Sequence, residues 1–569
     1  MGRREPFSII LSAAGLLWLA ACLWFPLTDT DIWWHLASAK LMWARKAFLR
    51  EDPFCLASLG TPWTDLHWGF QCLAYPVWKL GGSAALVAGK CLAVALALVL
   101  AMKPHLDRRT APWLIPFAAF GIYHVRFFID VRPLALTLLG LAIQYAVTLA
   151  WLRDGKGRPW RILIPTQIAL VNIQGLYPLG AVLVTCLTVG EWIDRRREKR
   201  EGRGETAPSL RNMAFTCAAM WAAGIASPYG WAGWKLPLAL LGRIAPVASN
   251  IFSSEIAENR PLTDLLRHQP GQALPFLFLA MVVLYGFDRA RARFGSGHLL
   301  LFAAFAALGC MAMRNLPLSL LAGLMALGRN LQVSLAEAPS PLPAVRDSAA
   351  RSPAAHGPAG RGGPSTVWAG WMGLAAMMAM AFLYGPKLRA AWEYELPGRM
   401  ETPFRFPEAA TDYLEAHPLP GGLFNELRYG GYLEFRLYPE QLAFVDGRMI
   451  LRSPDFYRDF LAVVDHPEGF PAYRARYGLT HALLPISEDR RFLPLAASLL
   501  RHEGWTLLYC DGASALLADS AAALGAPVLS MAEAIHSRFA ANPRLEAIAV
   551  TNAESLLREA GLAGRVERD

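Results

Sequence analysis

Apolar residues gather in runs at 7–27, 83–102, 134–152, 162–176, 178–192, 213–227, 273–287, 299–313 and 368–383, with short polar or basic stretches between them. About 20 apolar residues suffice for a helix to cross a bilayer. The pattern therefore predicts a polytopic helical membrane protein with about ten crossings. Two further runs, 69–80 and 112–125, are shorter than a full crossing and are expected to be short, tilted or re-entrant, and 316–327 is also short. The run at 7–27 resembles a signal peptide, but its length and the lack of a small-residue cleavage site predict an uncleaved first helix.

Lys and Arg set the expected direction of each crossing, because basic loops stay on the cytoplasmic side. Arg3 and Arg4 place the N-terminus there, as do Lys156, Arg158 and Arg161, then the run 195–200, then Arg289, Arg291 and Arg293. The expected organisation is a membrane domain over 1–335 with outer loops at 28–68 and 228–270. A Pro/Ala/Gly/Ser-rich cytoplasmic linker at 336–366 and a last crossing at 367–384 follow. Residues 385–520 are then an extracytoplasmic α/β domain and 521–569 a helical, Ala-rich tail. Strands are predicted at 422–425, 442–445, 481–485, 505–510 and 513–518, with helices between them at 455–464 and 493–502. Such alternation suggests a mostly parallel sheet.

Composition agrees. Apolar residues make up 54% and charged residues 18%, against about 25% charge in a typical soluble domain. The net charge of +10 does not indicate a nucleic-acid partner, since the excess Lys and Arg lie in the short topogenic clusters. Nineteen Trp suit interfacial belts, and the lipid bilayer is the expected partner. The eight Cys show no CxxC spacing, so no structural zinc site is expected.

Polar residues that carry chemistry gather in the expected outer loops. The first loop opens Asp29-Thr30-Asp31-Ile32-Trp33-Trp34-His35 and ends Trp63-Thr64-Asp65-Leu66-His67-Trp68. Carboxylates at headgroup depth are poorly solvated, which raises their pKa toward that of a general base; as the plainer alternative, Asp29 and Asp31 cap an interfacial helix. The segment Arg126-Phe127-Phe128-Ile129-Asp130-Val131-Arg132-Pro133 offers guanidinium forks suited to phosphate, or an internal Arg–Asp pair that fixes a helix start. Asn172 and Gln174 stand at another outer turn. The loop after Ser227-Pro228-Tyr229-Gly230 adds Glu255, Glu258 and Arg260, and Arg314 adds an outward cation. Asp446-Gly447-Arg448 reads as ordinary turn chemistry. Carboxylates on this face could bind a divalent cation, although no spacing requires one.

The order of these features resembles the GT-C superfamily of polytopic glycosyltransferases, which take a sugar from a polyprenyl-phosphate carrier. The likeness spans roughly residues 8–520 and rests on short motifs: an acidic start after the first helix (Asp29, Asp31), a short second helix ending in Gly81-Gly82, then Arg126 and Asp130. It is nearer still to a largely uncharacterised bacterial membrane group. Members of that group carry motifs like those at 31–36, Asp52-Pro53-Phe54, 63–68, Arg132-Pro133, 172–175, Pro228-Tyr229-Gly230, 430–433 and Asp446-Gly447-Arg448. They often have Glu where this chain has His67, so that position need not act as a carboxylate.

The resemblance implies a bacterial inner-membrane enzyme moving a sugar from a polyprenyl-phosphate-linked donor to an envelope glycan, lipid or protein acceptor. Asp31, assisted by Asp29, would be catalytic. Arg126, Asp130, Arg132, His67, Glu255, Arg260 and Arg314 would contact substrate. The rival expectation is a non-catalytic scaffold whose outer domain docks envelope-assembly partners. A transporter is disfavoured, since the charges cluster at helix ends and not mid-membrane.

Overall fold

The computed structural model describes residues 6–155, 157–200, 210–244, 251–336, 364–487, 490–502 and 504–562. The expected cytoplasmic linker falls almost wholly outside these residues. Helix α1 (Pro6–Leu23) leads to a long loop that carries α2 (Asp31–Arg45). The bundle continues through α3 (Trp68–Met102), α4 (Ala111–Val125), α5 (Leu134–Asp154), α6 (Trp160–Val171), α7 (Pro178–Arg200) and α8 (Arg211–Ala222). A second long connection holds α9 (Gly230–Ile244), α10 (Ile251–Glu255) and α11 (Leu262–His268), before α12 (Pro270–Ala290), α13 (Ser296–Met311), α14 (Leu316–Ala336) and α15 (Pro364–Ala391).

Five of these are long and apolar enough to cross a membrane, and three shorter apolar helices accompany them among the described residues. The protein is a multi-pass membrane protein. Two of the sequence-based boundaries move for physical reasons. The runs 69–80 and 83–102 form one kinked element, with Gly82 at φ +58° supplying a backbone conformation that a side chain would oppose. The run 316–327 extends to a 21-residue helix because its polar end finds partners in the bundle. There Gln332 meets His105 Nδ1 at 2.9 Å, His105 Nε2 meets the Tyr145 hydroxyl at 2.6 Å, and that hydroxyl meets His298 Nε2 at 2.9 Å. Buried polar groups joined in such a chain carry little desolvation cost.

The C-terminal domain holds α16 (Glu408–Ala416), β1 (Gly422–Asn425), α17 (Leu427–Leu437), α18 (Pro454–Asp465), α19 (Phe470–Tyr477), β2 (Leu479–Pro485), α20 (Leu493–Arg501), β3 (Trp505–Cys510) and β4 (Ser514–Asp519). The tail adds α21 (Met531–Phe539) and α22 (Pro543–Glu559), which pack onto the domain through Phe539, Leu545 and Leu556. The strand order is β1-β2-β4-β3, with only β1 and β2 parallel. The sheet is therefore mixed, not mostly parallel as the alternation suggested. The three residues between β3 and β4 are too few for a parallel crossover. Instead Asp511 accepts the Ala513 and Ser514 amides at 2.9 Å each, and Gly512 takes φ +76° to close a hairpin.

The segment expected as a strand at 442–445 is extended but lies outside the sheet. Its partner is the first long loop: the Leu56 amide donates to the Ala443 carbonyl at 2.7 Å and the Ala57 amide to Phe444 at 3.2 Å. A second junction pairs the chain just after α1 with the chain after α15, through Leu27 N to Met400 O at 2.8 Å and Thr402 N to Leu27 O at 3.0 Å. The α/β domain is thus stitched to the first loop, at the end of the bundle where α1 and α15 both emerge.

Candidate active site

Asp29 and Asp31 stand at the start of α2. Their placement begins with Asp130, whose Oδ2 accepts the Thr28 amide at 2.9 Å, the Thr28 hydroxyl at 2.7 Å and the Asp29 amide at 2.8 Å. Its Oδ1 accepts the Val131 amide at 2.7 Å and lies 3.8 Å from the Lys90 ammonium. Asp130 is 2% exposed and fully engaged. It orients the loop and does not face open space, in contrast to the substrate contact expected of it.

Arg132 reaches across to Asp29. Its Nη2 donates to Asp29 Oδ1 at 2.9 Å, its Nε donates to Oδ2, and its Nη1 donates to Glu258 Oε2 at 2.5 Å. Glu258 Oε1 in turn lies 3.2 Å from Arg314 Nη1, which also donates to Asn259 Oδ1 at 3.2 Å. Four residues from four distant stretches thus form one alternating chain: Asp29, Arg132, Glu258, Arg314. Burial alone would raise Glu258, but Arg132 and Arg314 overcome it and bring its pKa down to about 2. Arg132 stays charged despite burial because Asp29 and Glu258 flank it.

Asp31 differs. Its amide donates to Asp29 Oδ1 at 3.1 Å, but its own carboxylate, half-buried, has no hydrogen-bond or ion-pair partner among the described residues. Burial first, and then the neighbouring Asp29 charge, lift its pKa to about 7. Two adjacent acids in different environments thereby acquire different roles. Asp29 is held through both oxygens by Arg132, whereas the Asp31 carboxyl, unpaired, is the one raised to about 7.

The other expected substrate contacts scatter. Arg126 lies over the rings of Tyr123 (4.1 Å) and Phe127 (4.3 Å) and donates to the Tyr123 carbonyl. It forms no ion pair among the described residues. Glu255 pairs with Arg491 of the α/β domain at 2.9 Å, and the Arg260 side chain turns back to the Ser254 carbonyl at 3.1 Å. It is the Arg260 carbonyl, accepting the Met313 amide at 3.1 Å, that brings Arg314 to Glu258. His67 stays with Asp65, 3.6 Å away, and against the Trp34 and His35 rings. Asn172 braces helices, accepting Trp68 Nε1–H and donating to the Ala226 carbonyl at 2.8 Å each, and Gln174 accepts the Thr137 hydroxyl at 2.6 Å.

Sequence reasoning missed the weight of Arg448. Buried in the junction, it lies 2.9 Å from Asp52 and 3.1 Å from Glu434, pairs with Asp446, and faces the ring of Trp63 at 4.6 Å. Asp446-Gly447-Arg448 is thus a domain junction and not a surface turn. Burial pushes Glu434 well above the carboxylate range, with Asp446 and Asp52 reinforcing it against the pull of Arg448. Asp446 stays ionised beside Arg448 and Arg452, although burial opposes this. Cys55, Glu434 and Asp446 cluster closely enough to suggest metal ligands. Their cation is already present, because Arg448 Nη2 sits 3.1 Å from Glu434 and 3.7 Å from Cys55 Sγ.

A small apolar groove opens within the bundle, lined by Phe117 and Val125 of α4, Phe276 and Leu279 of α12, Phe302 of α13 and Leu316 of α14, among others. In the chain, Arg126 follows the lining residue Val125, and Arg314 lies two residues before the lining residue Leu316.

The helical bundle, the α2-bearing first loop and the C-terminal α/β domain together define a multi-pass membrane protein of GT-C fold. Archaeal oligosaccharyltransferase AglB from Archaeoglobus fulgidus, solved with an inhibitory peptide and a dolichol-phosphate, aligns with TM-score 0.54 at 13% identity over 91% of this chain and 75% of that one. An apo form of the Archaeoglobus fulgidus oligosaccharyltransferase aligns with TM-score 0.52 at 13% identity, over 87% and 71% of the two chains. Arabinofuranosyltransferase AftD from Mycobacteria gives TM-score 0.47 at 16% identity, over 91% of this chain and 40% of that one. No protein-family model matches the chain, and no curated protein matches it in sequence. At these identities the likeness is one of fold.

Proposed function

We propose that this protein is a membrane glycosyltransferase that moves a sugar from a polyprenyl-phosphate carrier to an envelope acceptor at the outer membrane face. The observation that carries the reading is the pairing of an unpartnered Asp31 with a fixed Asp29–Arg132–Glu258–Arg314 chain; an apolar groove in the same bundle ends at Val125 and Leu316, one and two residues along the chain from Arg126 and Arg314. An amphipathic substrate with one anionic group matches that arrangement: hydrocarbon in the groove, phosphate at the guanidinium groups. The dolichol-phosphate held by the AglB structure is a ligand of that class.

In this reading Asp31 takes the proton of an acceptor hydroxyl as its oxygen attacks the anomeric carbon. The bond from that carbon to the phosphate oxygen breaks with inversion, and the phosphate keeps the electron pair. Arg126 and Arg314 offset the charge that appears there. Arg132, saturated by Asp29 and Glu258, keeps the acids in place. The α/β domain, joined to the first loop, would meet the acceptor.

Binding of the carrier is tested with the full chain in lipid nanodiscs and a polyprenyl phosphate as probe, read by native mass spectrometry. Arg126→Ala combined with Arg314→Ala should weaken binding at least tenfold. Equal binding by the double variant and the wild type would remove the phosphate assignment.

A further inference from the structure

The acid at the start of α2 is not held by the membrane bundle alone. Helix α17 of the α/β domain lies against α2 closely enough that a methyl on Gly431 would sit 2.9 Å from the Trp34 amide nitrogen and 3.2 Å from the Thr30 carbonyl. On the same contact, Trp33 packs edge-on against Tyr432 at 4.8 Å and obliquely on Phe435 at 5.4 Å. The segment that follows passes directly beneath the carboxylate, and a methyl on Gly447 would overlap Asp31 Oδ1 at 2.3 Å. No side chain other than hydrogen fits there unless the carboxylate moves.

The next residue fixes that segment. Arg448 is held from the first loop by Asp52 and from the α/β domain by Glu434 and Asp446, with the Trp63, Phe54 and Trp34 rings at 4.6, 5.3 and 5.8 Å. A planar guanidinium can meet several carboxylates while stacked among rings, whereas an ammonium offers one compact charge. The other charged groups that act on Asp31 are Asp29, Arg132, Glu258 and Arg314.

We infer that Arg448 and Gly447 are positioning residues that seat the Asp31 carboxylate, so that the α/β domain forms one wall of the active site. The inference rests on reading Asp31 as the base. The burial that lifts Asp31 to about 7 comes in part from the Gly447 backbone. A methyl at 447 displaces the carboxylate from that surface and returns it toward solvent.

The test reads the protonation of Asp31 without any transfer assay, so a failure of this inference and a failure of the glycosyltransferase reading are distinguishable. The full chain in nanodiscs is treated with a water-soluble carbodiimide and glycine ethyl ester from pH 5 to 8.5. Amidation at Asp31 is quantified by peptide mass spectrometry relative to exposed Asp455. Wild-type labelling should be half-maximal near pH 7. In Gly447→Ala, and in Arg448→Lys, the midpoint should fall by at least one pH unit while tryptophan emission stays native. An unchanged midpoint in folded variants overturns the inference. Should both variants misfold, hydrogen exchange of the wild-type protein decides. Amides at 31–35 and 445–449 should open together with one dependence on denaturant, and independent opening of 445–449 with α2 unaffected overturns the inference.

Discussion

Replacing Arg448 with Met removes the cation from a buried cluster while keeping most of the side-chain volume. Three carboxyl groups surround it, Asp52 at 2.9 Å, Glu434 at 3.1 Å and Asp446 in direct contact, all 0% exposed at the side chain. Arg452, 3.7 Å from Asp446, is the one other cation paired with this cluster among the described residues, so removing Arg448 leaves carboxyl groups without a compensating charge. Breaking a buried pair by removing one partner costs about 3–5 kcal/mol, because an uncompensated charge remains in a poorly solvated site. For a unit of 150–250 residues each kcal/mol moves Tm by about 2–4 °C, so the α/β domain should melt roughly 6–20 °C lower. The assay is a melt followed by tryptophan emission in nanodiscs at pH 7.5, with proteolysis of the 426–452 region as a second probe. The orphaned carboxylates have folded pKa values raised above their unfolded ones, so the penalty is full above the folded pKa and is relieved as pH falls below it. The variant should therefore recover part of its loss between pH 7.5 and 5, and Asp52→Asn should recover part of it at pH 7.5. A melt within about 1 °C of wild type, with no pH dependence, would refute the reasoning.

Other outcomes follow from the same geometry. Transfer should depend on one deprotonated group, rising with pH to a plateau above about 7 and falling about tenfold per unit below it, because Asp31 must lose its proton to act. Glu258→Gln removes a negative charge that raises Asp31, so the midpoint of that profile should move to lower pH. Asp31→Asn should melt no lower than wild type at pH 8. At about 1.4 kcal/mol per pH unit, the interval from 3.8 to about 7 sets an upper bound of about 4 kcal/mol on what the ionised acid costs the fold. Gly431→Val should lower Tm by several degrees, as α17 is pushed away from the Trp34 amide.

The membrane bundle and the α/β domain were legible because apolar run length and strand–helix alternation are local signals. The strands at 422–425 and 505–510 appear at those positions. The segment at 442–445 misled because an extended apolar run looks the same whether its partner is a sheet or a loop nearly 400 residues away. In the site, Asp29, Asp31 and Arg132 were visible as polar residues at a helix exit and before a proline. Glu258 shares its loop with Glu255 and Arg260. Nothing local separates these three, and the choice depends on the Arg260–Met313 backbone contact. Arg448 had no local signal of burial, since an Asp-Gly step suits a turn equally well and its decisive partners lie in the first loop and on α17.

The central claim is that Asp31 is the proton acceptor of a glycosyl transfer, and one comparison tests it most directly. Envelope glycans and glycoproteins are profiled by mass spectrometry in cells lacking the gene, complemented either with wild type or with Asp31→Asn at equal membrane abundance. The account predicts that a glycan lost with the gene returns with wild type and stays absent with Asp31→Asn. Full restoration by Asp31→Asn would contradict it.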